Sequence, residues 1–508
     1  MNFPRESGIL LHPTSLPGPY GIGEIGPQAY TFADALKEMG QRLWQILPVG
    51  PTSYGDSPYQ CLSTFAGNPL WISFDLLMQD GLLLKEDLTD YPAFSDDRVD
   101  FGPVILARMD VLDTVCRHFA DRASLQTQQA CEAFCRKNSG WLDDFALFFA
   151  IKTAHELRPW PTWDPELATR EPQALRRARE EHAEAIRHVQ IMQYLFDDHW
   201  TRLRSYCHKL HINLIGDIPI FVAHDSADAW AHQDLFFLDT KGHPTVIAGV
   251  PPDYFSSTGQ RWGNPLYRWD RHAETGYAWW VERLRKTFEL VDIVRIDHFR
   301  GFEKYWEIDA DEPTAVNGKW VDGPKEALFD ELLKQLGRLP IIAEDLGVIT
   351  PEVEALRDKY RFPGMRILQF AFGDDDKAEE FRPESYPPNC VVYTGTHDND
   401  TTVGWFNSEP GQDSTRTREQ IEQERQSILE YLGTDGHEIH WDLIHLGITS
   451  KANTFVAPLQ DLMGLDSAAR MHVPGREGGN WTWRFSWNQL TPDIKKRLKK
   501  LTRHAKRG

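Results

Sequence analysis

Eight short apolar runs, most of them separated by helical stretches, limit what this chain can fold into. The runs cover residues 9–12, 43–47, 212–217, 292–297, 341–345, 365–370, 391–394 and 454–457. The helical stretches are predicted over residues 28–39, 279–289, 325–336, 352–359 and 418–432. Strands that alternate with helices predict a parallel sheet. Eight strands favour closure, so the predicted fold class is α/β, a (β/α)8 TIM barrel.

Two connections between the runs are much longer than ordinary barrel loops. The first is charged and helix-like, and we predict a mostly helical insertion over residues 65–200, between the second and third strands. The other is rich in proline, glycine and aromatic residues, which predicts a substrate loop insertion over 220–280. Little sequence follows the eighth run. We therefore expect one catalytic barrel over 1–508, without a C-terminal β-sandwich domain.

The composition argues against several classes of function. A formal net charge of −20 repels phosphate backbones, so we expect no nucleic-acid partner. The mean hydropathy of −0.48 and the short apolar runs predict no membrane span. The first residues lack the apolar core of a signal peptide, and six cysteines are too few for a disulfide scaffold. We expect a cytoplasmic protein with reduced thiols.

Residues 21–26 match the G-x-G-x-x-G pattern of dinucleotide-binding proteins, but their surroundings do not. Pro13, Pro17 and Pro19 fill the approach, where the motif needs a tight turn directly after a strand. The second run ends without the acidic residue that would bind a ribose. We expect no nucleotide and no other cofactor, and nothing in the sequence indicates a metal site.

Acidic residues follow four of the eight runs. They are Asp217, Asp297, Glu344 and Asp398. One acid after a strand is commonly a turn or helix-cap residue. Four carboxylates at one end of a barrel would repel one another, which indicates a functional site, since catalytic side chains lie at the C-terminal ends of barrel strands.

The residues around these acids predict separate roles. Arg295 and Asp297 are two apart on one strand and face the same side, so the guanidinium would keep Asp297 ionised as a nucleophile. Glu344, near other acids, would have a raised pKa and act as general acid and then base. Asp398, beside His397, would bind hydroxyls and favour positive charge in the transition state. Two such carboxylates about 5 Å apart would give a retaining glycosidase mechanism.

Aromatic residues are concentrated in the second long connection. The chain has 18 Trp, and this segment contains Tyr254, Phe255, Trp262, Tyr267, Trp269, Tyr277, Trp279 and Trp280. Flat aromatic faces stack on the apolar faces of sugar rings, although a packed core is the alternative, above all for Trp279 and Trp280. Asp253, Gln260 and Asn264 could bind hydroxyls there.

These segments resemble glycoside hydrolase family 77, the 4-α-glucanotransferases, also called amylomaltases or disproportionating enzymes. The matching segments are residues 8–17 (GILLHPTSLP), 57–60 (SPYQ), 216–222 (GDIPIFV), 249–256 (GVPPDYFS), 259–265 (GQRWGNP), 295–301 (RIDHFRG), 343–347 (AEDLG) and 395–401 (GTHDNDT). The last three resemble regions of the wider α-amylase clan. The PPDYFS segment and the expected lack of a C-terminal β-domain point to family 77.

The resemblance implies a reaction and a set of site residues. Asp297 would be the nucleophile, Glu344 the acid/base and Asp398 the transition-state stabiliser. The predicted substrate-binding residues are Ser57, Tyr59, Asp217, Asp253, Tyr254, Phe255, Gln260, Trp262, Asn264, Arg295, His298, His397 and Asn480. Tyr54 is predicted to lie on a second glucan-binding surface.

The expected reaction transfers α-1,4-glucan segments from malto-oligosaccharide, starch or glycogen to the 4-hydroxyl of another glucan. We expect the loop over residues 250–267 to cover the site and keep water out. An α-1,4-glucan hydrolase of the α-amylase clan and a catalytically silent glucan-binding protein are the alternatives. The expected assembly is a monomer or a weak homo-oligomer.

Overall fold

The computed structural model of the 508-residue chain describes residues 3–252, 258–375, 377–411, 416–476 and 478–508. Statements below concern this part of the chain. Its strands are β1 (Glu6–Leu10), β2 (Leu43–Gln45), β3 (Asn213–Pro219), β4 (Val246–Val250), β5 (Gln260–Pro265), β6 (Ile293–Asp297), β7 (Lys304–Asp309), β8 (Gly318–Asp322), β9 (Ile341–Ala343), β10 (Gly364–Ile367), β11 (Cys390–Tyr393) and β12 (Thr454–Pro458).

The eight predicted runs form one parallel sheet. Its strand order is β10-β11-β12-β1-β2-β3-β6-β9, and every neighbouring pair is parallel. The two outer strands also meet, because the backbone amide of Ala343 in β9 donates to the carbonyl of Pro363, just before β10, at 3.0 Å. The predicted TIM barrel is confirmed.

The helices lie between these strands and in the long connection after β2. They are α1 (Pro27–Glu38), α2 (Phe74–Gln79), α3 (Phe101–Arg117), α4 (Phe119–Arg122), α5 (Leu125–Ala154), α6 (Pro165–Ala168), α7 (Pro172–Glu181), α8 (Ala183–Lys209), α9 (Ala227–Ala231), α10 (Trp269–Glu274), α11 (Ala278–Leu290), α12 (Lys325–Leu336), α13 (Pro351–Lys359), α14 (Thr402–Phe406), α15 (Arg418–Leu432), α16 (Ile439–Thr449), α17 (Leu459–Leu462) and α18 (Pro492–His504). In the described ranges, no helix combines the length and apolarity that a membrane crossing requires.

Helices α2 to α8 fill the connection between β2 and β3 and pack on the side of the barrel. Ser124 caps α5, its side chain accepting from the amide of Thr127. The apolar face of α5 then packs against α8. Trp200 of α8 is buried and its indole N–H donates to the carbonyl of Leu290 at 2.9 Å, which joins this helical layer to α11 of the barrel.

A second, four-stranded antiparallel sheet lies beside the barrel, in the order β5-β4-β7-β8. Strands β4 and β5 belong to the segment over 220–280, where we expected a loop, and that segment also contains α9 and α10. The predicted insertion between the third and fourth barrel strands therefore contains regular strands and helices. The polar sequences of β7 and β8 predicted no strand, and the two strands stabilise each other as a hairpin in which Trp306 pairs with Trp320.

Most of the described aromatic residues in this segment belong to the core. Tyr267 and Trp280 are fully buried, and Tyr277 and Trp279 are nearly so. The hydroxyl of Tyr267 donates to the carbonyl of Ile220 at 2.8 Å, just after β3. These rings therefore support the barrel wall beneath the predicted site. The expectation that they form a sugar-stacking surface was too broad.

Candidate active site

The four predicted acids come together at the C-terminal mouth of the barrel. In the register of β3 and β6, Asp217 is paired with Arg295. Asp297 ends β6, and Glu344 follows β9, whose Ala343 is paired with Ile296. Asp217, Asp297 and Glu344 thus come from the neighbouring parallel strands β3, β6 and β9, and Asp398 follows β11 at the same end of the barrel.

Arg295 forms the centre of the site. Its Nη1 donates to both carboxylate oxygens of Asp217, at 2.9 and 2.8 Å, and its Nη2 donates to Oδ1 of Asp297 at 2.8 Å. The Arg295 side chain is only 3% exposed. Burial lowers its pKa, but Asp217 and Asp297 outweigh this effect and hold the pKa well above its usual range. A permanent cation therefore lies between two carboxylates.

Asp217 is the buried partner of this arginine. Burial raises the pKa of its carboxyl, and the nearby charge of Asp297 raises it further, while Arg295 opposes both effects. The hydroxyl of Tyr59 donates to Oδ2 of Asp217 at 2.9 Å. The Tyr59 ring stacks on His397, with ring centroids 5.0 Å apart, so Tyr59 connects this side of the mouth with the Asp398 loop.

Both carboxyl oxygens of Glu344 accept backbone hydrogen bonds. Leu346 donates to Oε1 and His298 donates to Oε2, each at 2.7 Å. Burial raises the pKa of Glu344 to about 8, with Asp297 adding to the rise and Arg295 and the two amides opposing it. Glu344 therefore carries a proton at neutral pH and can donate it.

His298 has a left-handed backbone with φ of 54°, which is uncommon for a residue other than glycine. This conformation turns its amide toward Glu344. Burial lowers the pKa of the His298 imidazole to about 4, so the ring is neutral. Within the described ranges its buried Nε2 has no hydrogen-bond partner. Backbone strain of this kind is characteristic of functional sites.

Asp398 lies between two imidazoles. His472 Nδ1 lies 2.6 Å from Oδ1, and His397 Nε2 lies 3.3 Å from Oδ2. Burial raises the pKa of the Asp398 carboxyl, but its contacts with His397 and His472 outweigh this and bring the pKa below its usual range. Burial lowers the pKa of His397 to about 4. Asp398 is therefore ionised at neutral pH.

The loop that carries His397 and Asp398 is shaped by its own side chains. Asn399 Oδ1 accepts from the amide and the hydroxyl of Thr396, both at 2.9 Å. Buried Asp461 accepts from the hydroxyl of Thr394 at 2.5 Å and from the amide of Thr402 at 2.6 Å. These bonds fix both ends of the segment and hold Asp398 at the barrel mouth.

Gln260, Trp262 and Asn264 lie on β5, close to the mouth. The indole N–H of Trp262 donates to Oε1 of Gln260 at 3.1 Å, and the Trp262 ring meets the His298 ring edge to face, 4.8 Å between centroids. Asn264 is buried and donates to the carbonyl of Val222 at 2.9 Å. The structure thus places Trp262 at the site and gives Asn264 a contact with the backbone.

The other predicted residues are more dispersed. Ser57 accepts from the amide of Tyr59 at 3.3 Å, and Tyr54 is 67% exposed on the preceding turn. Asn480 accepts from the amide of Val473 at 3.0 Å and donates to the carbonyl of Arg476, so it braces a loop. Three predicted residues lie outside the described part of the chain: Asp253, Tyr254 and Phe255.

Three residues at the site were missed from the sequence: Arg470, His472 and Trp481. Arg470 donates to the carbonyls of His472 and Asp398, at 2.8 and 2.9 Å. Trp481 stacks on His472, with centroids 4.5 Å apart. They lie beyond the last barrel strand, and no strand end marks them as catalytic. The only signal was that His472 lies close in sequence to Asn480, which the resemblance singled out.

One group of possible metal ligands occurs among the described residues, on the helical side layer. Asp80, Asp198 and His199 bring ligand atoms within 4.8 Å of one another. Arg202 already pairs with both carboxylates, at 2.9 and 2.7 Å. His199 Nδ1 accepts from the amide of Ser73, which leaves its proton on Nε2. The carboxylates of Asp80 and Asp198 are thus already paired with Arg202, and the group is better suited to this arginine than to a metal ion.

A buried carboxyl with a raised pKa beside an arginine-paired carboxylate, at the mouth of a (β/α)8 barrel, fits the class of barrel enzymes that act on glycosidic bonds. The family model of glycoside hydrolase family 77, described as 4-alpha-glucanotransferase, matches residues 11–491. The chain belongs to this family and is an enzyme that transfers segments of α-1,4-glucan.

Relatives match over nearly the whole chain. A 4-alpha-glucanotransferase of Thermus thermophilus is 48% identical over 100% of both chains, and one of Synechocystis is 48% identical over 96% of this chain and 95% of its own. The solved structure of an amylomaltase from Streptococcus agalactiae in complex with acarbose has a TM-score of 0.93 and 38% identity, covering 99% of this chain and 100% of its own.

Proposed function

We propose that this enzyme transfers glucan segments by a double displacement in which Asp297 is the nucleophile and Glu344 the acid/base. The observation that carries the proposal is the contrast between these two neighbours. Asp297 is paired with a permanent cation, whereas Glu344 is buried with a pKa raised to about 8. When one carboxyl is paired with a cation and its neighbour is buried, the first is suited to act as nucleophile and the second as acid.

In the first step, a carboxylate oxygen of Asp297 attacks C1 of an α-1,4-linked glucosyl unit. The bond from C1 to the leaving oxygen breaks, and Glu344 gives its proton to that oxygen. The product is a glucosyl ester of Asp297 and a shortened glucan with a free 4-hydroxyl. Ionised Asp398 binds hydroxyls of the reacting sugar and favours the positive charge that develops at C1.

In the second step, the 4-hydroxyl of an acceptor glucan attacks C1 and Glu344 takes its proton. The ester of Asp297 is uncharged, and the charge of Asp297 was one cause of the raised pKa of Glu344. Loss of that charge lowers the pKa and makes Glu344 a base at the moment when a base is needed. The second step releases Asp297 as carboxylate and restores the proton on Glu344.

Transfer prevails over hydrolysis only where water is kept from the ester. Strand β5 supports this proposal, because it brings the indole of Trp262 against His298, next to the nucleophile. We propose that the segment over residues 250–267 shields the intermediate and that Trp262 orients the acceptor. Asp253, Tyr254 and Phe255 belong to that segment and keep their predicted substrate-binding role as part of this proposal.

The proposed substrates are malto-oligosaccharides, starch and glycogen, with a glucan as donor and a glucan or glucose as acceptor. The amylomaltase from Streptococcus agalactiae was solved in complex with acarbose, which supports a saccharide ligand for this chain as well. Incubation with maltotriose tests the proposal. We expect glucose and a ladder of longer chains without a net gain of reducing ends, and a stoichiometric gain of reducing ends would identify a hydrolase instead.

A silent glucan-binding protein is separated from this enzyme by Asp297→Asn. The substitution removes the nucleophile and nearly preserves the shape of the side chain, so turnover should be lost while glucan binding remains.

The six cysteines are buried and unpaired, which supports a reducing, cytoplasmic location. A monomer or weak homo-oligomer stays the predicted assembly.

A further inference from the structure

We propose that His472 is a positioning residue whose ring N–H holds the Asp398 carboxylate in its working orientation. The inference rests on the proposed function, because it assumes that Asp398 stabilises the transition state. His472 is neither the nucleophile nor the acid/base, and it lies on a segment distant from Asp398 in sequence. It acts on the reaction only through the carboxylate that it contacts.

The contacts of the Asp398 carboxylate with two imidazoles support this role. His472 Nδ1 lies 2.6 Å from Oδ1 of Asp398, within the range of a strong charge-assisted hydrogen bond. An ionised carboxylate can only accept, so the proton of this bond lies on Nδ1. His397 Nε2 approaches the other oxygen at 3.3 Å. The hydrogen bond from His472, with a second imidazole close to the other oxygen, restricts rotation of the Asp398 carboxylate.

His472 is itself held on two sides. Its ring stacks on Trp481, with centroids 4.5 Å apart and an angle of 14° between the planes, and Trp481 is buried. The amide of Trp481 donates to the carbonyl of Met471 at 2.7 Å. A ring confined by stacking and by its backbone can impose its direction on the group that it contacts.

Arg470 joins the two partners through their backbones. Its Nε donates to the carbonyl of His472 at 2.8 Å, and its Nη2 donates to the carbonyl of Asp398 at 2.9 Å. A single planar guanidinium therefore fixes the distance between the segment with the imidazole and the loop with the carboxylate. This arrangement is built before substrate arrives, which is what electrostatic stabilisation of a transition state requires.

The surroundings of Asp398 define the effect of removing His472. The charged or titratable groups that face Asp398 are His397 from its own loop, His472 and Arg470 from the segment after α17, Arg295 from β6, and Tyr59 from the connection after β2. The hydrogen bond from His472 is one of the causes that lower the pKa of Asp398. Without it, the carboxylate gains freedom to rotate and its pKa rises, so positive charge at C1 is stabilised less well.

Two substitutions separate positioning from a merely structural role. His472→Ala removes the N–H, whereas His472→Asn offers a side-chain amide N–H at a position close to that of Nδ1. We expect His472→Ala to lower kcat for maltotriose disproportionation about 10- to 100-fold, as for loss of one hydrogen bond to a charged group, with KM changed less than about threefold. His472→Asn should retain at least about a third of kcat.

The split between kcat and KM gives a second readout. Loss of positioning lowers kcat with little change of KM in His472→Ala and spares kcat in His472→Asn, whereas a distorted site would change both constants in both variants. His437→Ala, at an exposed histidine outside the site, is the matched control and should behave as the unsubstituted enzyme. Thermal unfolding of each variant shows whether His472→Ala is folded, and the Asn variant keeps the test decisive if it is not.

Three results would overturn the inference. They are a kcat of His472→Ala within threefold of the unsubstituted enzyme, a loss in His472→Asn as large as in His472→Ala, and a KM of His472→Ala that rises as strongly as its kcat falls. Failure of the proposed function looks different, because the unsubstituted enzyme would then release reducing ends from maltotriose or leave it intact.

Discussion

The backbone amide of His298 donates to Oε2 of Glu344 at 2.7 Å. His298 directly follows Asp297. The peptide bond between these two residues therefore carries the amide that holds the proposed acid/base. The left-handed conformation of His298 makes this contact possible. The two carboxyls on neighbouring strands are therefore fixed relative to each other by the backbone, and the charge of Asp297 adds to burial in raising the pKa of Glu344.

The activity should fall as the pH rises through about 8. The first step needs the proton of Glu344, and burial together with Asp297 raises the pKa of this carboxyl to about 8. The measurement is kcat/KM for maltotriose between pH 5 and pH 9.5. A basic limb below pH 6, near the ordinary range of a glutamic acid, would show that Glu344 is not held protonated.

Glu344→Gln should become more stable relative to the unsubstituted enzyme as the pH rises from 5 to 7.5. In the folded chain Glu344 stays protonated up to about pH 8, whereas in the unfolded chain it ionises near its ordinary pKa of 4.5. Ionisation therefore favours the unfolded state across this window, and stability falls with rising pH. Glutamine does not ionise and removes that loss.

Urea unfolding of both proteins at pH 5 and at pH 7.5 measures this effect. The difference in unfolding free energy should shift by about 1–3 kcal/mol in favour of Glu344→Gln. Other titrating groups are common to both proteins and cancel in the comparison. A difference that is the same at both pH values would show that the folded and unfolded pKa values of Glu344 coincide.

Arg295→Lys should lower kcat/KM about 100-fold or more. The guanidinium donates to Asp217 and Asp297 from two different nitrogens, and the single ammonium of lysine cannot bridge both carboxylates in the same geometry. Arg484→Lys is the matched control, because this arginine is also buried but donates only to backbone carbonyls. We expect the control to lose stability and keep its kcat.

Steady-state kinetics with maltotriose and thermal unfolding of both arginine variants separate these effects. If Arg295→Lys and Arg484→Lys lost activity to the same extent, a general loss of folding would explain both. The proposed role of Arg295 in pairing with the Asp297 carboxylate would then have no support.

Trp262→Ala should shift the enzyme from transfer toward hydrolysis. The indole covers His298 next to Asp297, so its removal should admit water to the ester and weaken the acceptor site. We expect the ratio of transfer to hydrolysis to fall about 10-fold, measured as oligosaccharides formed against reducing ends released. Trp487→Ala is the control, because it removes an indole that donates a hydrogen bond to Gln28. This substitution should leave the ratio of transfer to hydrolysis unchanged.

The barrel was predictable because its strands are short apolar runs that are buried on both faces. Helix α12 lies over the predicted residues, since an apolar stripe continues up to Gly337, whose φ of 73° ends the helix. The strands β7 and β8 were not predictable, because their polar residues alternate only weakly. Their stability comes from pairing with each other and with β4, which no local pattern shows.

The site residues could be predicted where a catalytic side chain stands at the end of a strand. Asp297 could be singled out because it ends a buried strand, Glu344 because it directly follows one, and Arg295 because it shares a strand face with Asp297. His472 could not, since its contact with Asp398 joins segments that are 74 residues apart in the chain. Tyr59 had only the family resemblance to mark it, for the same reason.

Covalent trapping tests the central claim most directly. Glu344→Gln cannot activate an acceptor, but an α-maltosyl fluoride donor needs no proton from Glu344, so the first step can proceed and the second is slowed. Mass spectrometry of the quenched and digested protein should show a maltosyl adduct on the peptide that contains Asp297. No adduct, or an adduct on another residue, would contradict the double displacement through Asp297.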